Sequence, residues 1–260
     1  MALDVRAYLE RIGLDGSDTS LDLEFLKKVQ YAHILTVPYE NLDILNDIPL
    51  SLDKQELFDK IVNRRRGGYC FEVNGLLSFM LMEIGFKVHN YAARYLRGAT
   101  EIPVRRHRVL VVEAEGERYL CDVGIGQIAP RLPLKLEEWT VQEQYGEFYR
   151  FEKDPLLGWK LCDFHNGEWR PFYSFTEEKQ LNIDFIQPSF YCEKHPDSPF
   201  NKVIMVAIKT EKGRKTLDDR TYKEFVGEEL AYIEENLDDT RLYQLLQTEF
   251  GLNWRHKKEN

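Results

Sequence analysis

Cys70 follows Arg66-Gly67-Gly68-Tyr69 and opens an apolar-periodic run. A thiol at a helix N-terminus sits in the positive end of the helix macrodipole. That position favours the thiolate, the form that attacks and carries acyl groups. Gly67 and Gly68 let the backbone turn sharply and approach closely just before it. A single cysteine is ordinarily a small buried hydrophobe. Cys121, which falls in a strand, and Cys162 and Cys192, which follow no glycine turn, take that reading.

A base and an orienting carboxylate come from a hairpin. His107–Glu113 and Arg118–Val123 are rich in Val, Leu and Tyr, with Ala114-Glu115-Gly116-Glu117 between them as the turn. With an even loop, His107 faces Gly124 and Val109 faces Asp122, so His107 and Asp122 are diagonal neighbours on one face with Val109, Val111 and Leu120. A carboxylate there would hold the imidazole tautomer and stabilise its charged form. An odd loop would put the two on opposite faces. The ordinary alternative is a satisfied core histidine; His33, His89, His165, His195 and His256 show no such pairing. Cys70, His107 and Asp122 together make a nucleophile, base and carboxylate triad, with Cys70 and His107 expected as a thiolate–imidazolium pair.

The elements that must position these groups change along the chain. Leu21, Phe25, Lys28 and Val29, then Leu57, Phe58, Ile61 and Val62, then Leu77, Met80, Leu81 and Ile84 recur at helix spacing, with Gly85 ending the last helix. From about residue 88 to about 210 the pattern turns to strands, ending with Val203–Ile208. Leu242, Leu245, Leu246 and Phe250 make a final helix, with Asp239 or Thr240 as N-cap and Gly251 after its end.

Of the 260 residues, 43% are hydrophobic and 30% charged, enough for a sizeable core. A net charge of −9 argues against nucleic-acid binding, leaving Arg64-Arg65-Arg66 and Arg105-Arg106 as local basic patches or solvated faces. No run is long and apolar enough to span a membrane, and Met1-Ala2-Leu3-Asp4 lacks the form of a secretory leader. The four widely spaced cysteines form no C-x-x-C pair, so no metal site is expected, and they read as reduced thiols in a cytoplasmic protein.

Several blocks in order resemble the arylamine N-acetyltransferases: Val37-Pro38-Tyr39-Glu40-Asn41-Leu42, Arg66 to Asn74 around Cys70, the strand opening at His107, Asp122-Val123-Gly124-Ile125-Gly126 and, more weakly, Gly213-Arg214-Lys215-Thr216-Leu217. The resemblance covers roughly residues 5 to 220. It implies an α+β fold: an N-terminal helical bundle (residues 1–88), a central β-barrel (89–200) and a C-terminal α/β lid (201–260). It also implies ping-pong transfer of acetyl from acetyl-CoA, through a Cys70 thioester, to an arylamine or arylhydrazine. Two positions depart from the family. Ile125 stands where Phe is usual and Tyr39 where Phe is frequent, both on the acceptor pocket of relatives. Phe200 is a further acceptor-pocket candidate. Gly124, Gly126 and Ser198 are the candidates for holding CoA, the glycine loop because exposed backbone N–H groups suit anions.

Competing readings use the same triad. A cysteine hydrolase passes through the same acyl-thioester, as does a macrocycle-forming amide synthase; a binding module with a decayed site is the non-catalytic alternative.

Overall fold

A computed structural model describes residues 2–16 and 19–257; Met1, at the head of the segment weighed as a leader, lies outside them. Aspartates open the early helices. Asp4 caps α1 (Val5–Arg11), and Asp22 caps α2 (Leu23–Thr36), accepting the Phe25 N–H at 2.8 Å. Leu21 therefore stands outside the helix whose apolar face it was expected to join, and is 51% exposed. A two-residue strand β1 (Tyr39–Glu40) and short α3 (Leu42–Leu45) follow. Leu57, Phe58, Ile61 and Val62 are buried as expected, but not in one α-helix: α4 (Lys54–Phe58) passes into a π-turn over Asp59–Asn63. The wider turn brings Lys60 inward, where its ammonium meets Asp43 and Glu72. α5 (Cys70–Ile84) ends at Gly85 in the left-handed region.

Eight antiparallel strands come next. They are β2 (Lys87–Tyr95), β3 (His107–Ala114), β4 (Glu117–Cys121), β5 (Leu134–Lys135), β6 (Gln142–Gln144), β7 (Glu147–Asp154), β8 (Gly158–His165) and β9 (Glu168–Gln180). Their spatial order is β5-β4-β3-β2-β9-β8-β7-β6, so the edges β5 and β6 are left to meet. Side chains close that seam. The Gln142 amide bonds both the N–H and the carbonyl of Lys135, and Gln144 does the same to Leu132. Each glutamine stands in for a missing ladder partner, and the sheet becomes a nearly closed barrel.

Beyond it lie α6 (Ile186–Lys194), β10 (Met205–Thr210), β11 (Gly213–Asp218), β12 (Thr221–Val226), β13 (Glu229–Glu234) and α7 (Asp239–Phe250). The last four strands form an antiparallel sheet that β1 joins through Tyr39↔Ala207. β10 starts two residues later than the expected Val203, and the α7 cap is Asp238, one residue before the expected Asp239 or Thr240. The architecture is α+β, as the resemblance implied. Among the described residues no helix is long and apolar enough to cross a membrane.

β3 and β4 divide two cores. Leu110, Val112 and Cys121 pack on the helices, whereas Val109, Val111 and Leu120 fill the barrel. This alternation depends on register. The Glu115-Gly116 loop has two residues, both at positive φ (52° and 79°), and the pairing runs from Ala114↔Glu117 to Leu110↔Cys121. The even loop is the one the His107–Asp122 pairing required.

Candidate active site

The approach to Cys70 is built from close backbone contacts. A Cβ on Gly67 would lie 1.9 Å from the Pro38 carbonyl, so only glycine fits. The Glu40 N–H donates to the Gly68 carbonyl at 3.0 Å, tying β1 to this segment. Glu72 then turns back and accepts the Tyr69 N–H at 3.1 Å, fixing the first turn of α5. Glu72 is itself held by Lys60 at 2.7 Å, Lys60 by Asp43 at 2.8 Å, Asp43 by Arg66 at 2.9 Å, and Arg66 by Glu40 at 2.7 Å. Arg66 of the first basic patch thus belongs to a buried ionic chain, while Arg64 is exposed.

The other two members meet where the β3–β4 ladder stops. β4 ends at Cys121, two residues short of the expected Val123, because Asn74 of α5 occupies the fork. Its amide donates to the Arg108 carbonyl (2.7 Å) and to Asp122 Oδ1 (2.8 Å), and its oxygen accepts the Val123 N–H (2.9 Å). Asp122 also accepts the Gly124 N–H at 2.8 Å and His107 Nε2 at 2.7 Å, and is wholly buried. A buried carboxylate with three donors is fixed in place, and it leaves His107 Nδ1 as the nitrogen free for proton transfer. Asn74 lies four residues after Cys70 on the same helix face, a spacing that could have marked it in the sequence.

Cys70 and His107 line one cavity of about 310 Å³. Tyr39, Ile125 and Phe200, the acceptor candidates, line it too, as do Gly124, Gly126 and Arg106 of the second basic patch. Two of the CoA candidates change meaning. Ser198 does not line the cavity; its hydroxyl is buried, donates to the Cys192 carbonyl and accepts the Phe200 N–H, so it shapes the turn presenting Phe200. Gly124 spends its N–H on Asp122 and is glycine because a Cβ there would lie 2.8 Å from Cys70 Cα. Gly126, at φ 63°, remains on the cavity wall.

Burial pushes the Cys70 thiol well up, the charges of Cys192 and Asp122 push the same way, and the N–H groups of Arg108 and Phe71 pull it down. Instead of the expected contact with His107, its sulfur donates a long 3.8 Å hydrogen bond to the Arg106 carbonyl. Cys121, Cys162 and Cys192 are buried free thiols, with Cys162 pushed up to about 11 and Cys192 to about 12 by desolvation. Of the histidines with no carboxylate pairing visible in the sequence, His89 does bond one, Glu113, at 3.0 Å, whereas His33 bonds the Tyr8 hydroxyl at 2.9 Å. Among the described residues no His, Cys, Asp and Glu group is arranged to hold a metal.

A family model described as N-acetyltransferase matches residues 22–259. The arylamine N-acetyltransferase of Mycolicibacterium smegmatis is 40% identical, over 85% of this chain and 82% of its own. The solved arylamine N-acetyltransferase of Salmonella typhimurium superposes with a TM-score of 0.92 at 31% identity, covering 98% of this chain and 93% of that one. That of Mycobacterium marinum, solved in complex with CoA, superposes at 0.89 with 33% identity, over 96% and 93%. With matches this extensive in both sequence and structure, the chain belongs to the arylamine N-acetyltransferase family.

Proposed function

We propose that Cys70 is the acyl carrier of this acetyl-CoA-dependent arylamine N-acetyltransferase, with His107 as its base and Asp122 holding His107. The observation that supports this most directly is the shared cavity, where a helix-N-terminal thiol and a carboxylate-anchored imidazole face the same space. Cys70 gives its proton to His107 and its sulfur attacks the acetyl carbonyl of acetyl-CoA. The tetrahedral intermediate expels CoA, which leaves with that proton, and the acetyl group stays on Cys70 as a thioester. The arylamine nitrogen then attacks the thioester while His107 takes its proton. Cys70 leaves as thiolate and recovers the proton from His107.

Asp122 carries no proton in this sequence; it keeps the proton of the neutral imidazole on Nε2, so Nδ1 is the base. Tyr39, Ile125 and Phe200 shape the acceptor side, and Gly126 is the loop residue assigned to CoA. The family match and the CoA-bound relative favour transfer over hydrolysis or macrocycle closure.

The test is intact mass after exposure to acetyl-CoA without acceptor. One acetyl group should appear and map to Cys70, and adding an aniline should discharge it. A label on Cys121, Cys162 or Cys192 overturns the assignment.

A further inference from the structure

Arg105 and Arg106, the second basic pair of the sequence, part company in the fold. Arg105 is held by β9: its guanidinium donates to Glu178 at 2.8 Å and to Thr176 at 3.2 Å. Arg106 is half-buried and lines the Cys70 cavity, where it is the only Lys or Arg among the described residues. Its guanidinium has no hydrogen bond, ion pair or ring contact with any of them. The arginines around it each have a partner: Arg94 the Pro103 carbonyl, Arg97 the Asp163 carboxylate, Arg108 the amides of Asn90 and Asn182. Asp218, the carboxylate that also lines the cavity, makes no ion pair with Arg106; burial pushes it up and the Lys223 charge pulls it back. A guanidinium is all donors and no acceptor, so in a partly desolvated cavity its bonds fall to water or to a ligand.

The root of Arg106 is fixed beside the chemistry. Its N–H donates to the Ala93 carbonyl at 3.0 Å, its carbonyl receives the Cys70 thiol at 3.8 Å, and the next residue is His107. The sulfur itself is not the partner of the guanidinium: it bonds the Arg106 carbonyl, and the N–H groups that pull the thiol down are those of Arg108 and Phe71. Tyr39, Tyr95, Ile125 and Phe200 give the same cavity an apolar wall rich in rings. The Arg106 charge reaches that wall, offsetting part of the burial that pushes the Tyr39 and Tyr95 phenols up. An aromatic ring lies well against such a wall, and a planar carboxylate on it matches the donor fork of an arginine. The phosphates of acetyl-CoA sit at the far end of the pantetheine arm from the thioester, and its acetyl group is neutral. A cation rooted next to Cys70 therefore faces the acceptor.

We propose that Arg106 is a specificity-determining residue for an acidic acceptor, an arylamine whose ring carries a carboxylate that binds the Arg106 guanidinium while its amine meets the Cys70 thioester. This deepens the reading of Cys70 as the acyl carrier and rests on it. The amide forms as the thioester breaks, the amine proton passes to His107, and the carboxylate takes no part in the bond changes.

The experiment follows discharge of acetyl-Cys70, freed of CoA, by mass. The acceptors are meta- and para-aminobenzoate and the matching neutral aminobenzamides, which keep the ring and amine but lose the charge. Wild type, Arg106→Met, Arg106→Lys and Arg106→Glu are compared in the full chain. Wild type should favour the better acid over its amide by about tenfold to a hundredfold. Arg106→Met should bring that ratio close to one, Arg106→Lys should keep part of it with a point charge in place of a fork, and Arg106→Glu should invert it. A wild-type ratio near one, or a ratio that Arg106→Met and Arg106→Glu leave in place, overturns the proposal. So does an Arg106→Met defect confined to the loading of acetyl from acetyl-CoA, which would put Arg106 on the donor side. If a melting curve shows that Arg106→Met does not fold, Arg106→Gln is read with the same outcomes. If Cys70 of the wild type takes no acetyl group, the acyl-carrier reading fails, and calorimetric binding of para-aminobenzoate tests the acidic site by itself. A Kd that follows the charge at residue 106 keeps the site, and a Kd that ignores it removes the site.

Discussion

Two charged assemblies flank the start of α5, and both are buried. In one, Glu40, Arg66, Asp43, Lys60 and Glu72 form an ionic chain in which each carboxylate has a cation within 2.9 Å. In the other, Cys70, His107 and Asp122 are equally hidden, yet only the His107–Asp122 link is made, and the sulfur and His107 Nδ1 are left at the cavity. The first assembly is satisfied and so can only hold shape. The second, in the function we propose, keeps bonding capacity in reserve for a substrate. The groups are of similar chemistry; function follows from which valences the fold leaves open.

The comparison breaks most sharply at Cys70. Cys70→Ser should abolish transfer, read as release of CoA, because a hydroxyl is far harder to ionise than a thiol, while the melting curve barely moves. Asp122→Asn should cost about a thousandfold or more in kcat/KM, since the amide invites the wrong His107 tautomer. Retained activity in that variant would remove Asp122 from the mechanism.

Lys60→Met attacks the satisfied assembly and should do the reverse. Asp43 and Glu72 lose the cation they share, and stability should fall by about 3–5 kcal/mol in urea unfolding, with activity lost only as the fold goes. If Lys60→Met lowers kcat at full stability, the two assemblies are not separable in the way drawn here.

A third buried group sharpens the contrast through pH. Burial, with a smaller push from the Arg11 charge, takes His33 from 6.5 down to about 3. The unfolded chain gains that proton as pH falls through 6.5, and the folded chain does not until about 3. The contribution of His33 is therefore complete above the higher value and is lost progressively between the two. Urea midpoints at pH 7, 5 and 4 should decline more steeply in wild type than in His33→Gln. The smallest effect is expected at the cavity wall. Ile125→Phe adds a ring face for planar anilines and should raise their kcat/KM about threefold to tenfold, leaving acetylation of Cys70 unchanged. A change in the first half-reaction alone would place Ile125 on the donor side.

Much of the site was legible because local rules set it. Gly67-Gly68 before an apolar-periodic helix marked Cys70, and a two-residue turn made His107 and Asp122 share a face. What escaped were residues whose roles come from distant segments. Asn74 ends the β4 ladder from a helix, Ser198 turned out to shape a turn, and Gly124 turned out to be spoken for by Asp122. Lys60 is inward only because a π-turn shifts the helical phase, which no 3.6-residue pattern announces.

By itself, then, the sequence determined the chemistry available and the element each reactive group rides on, since residue type, turn length and side-chain period are properties of the local chain. Tertiary structure alone decided which of these groups remain unsatisfied. Glu72 and Asp122 are both carboxylates close to Cys70, yet Lys60 neutralises one and His107 bonds the other. Arg66 is half-buried and Arg108 fully buried, yet only Arg66 pairs with carboxylates, Glu40 and Asp43, while Arg108 rests on two asparagines. Such pairings depend on segments 26 or more residues apart in several of these contacts and on which of them exclude water together, and the energy of a charge in a protein is set by that surrounding rather than by its neighbours in the chain.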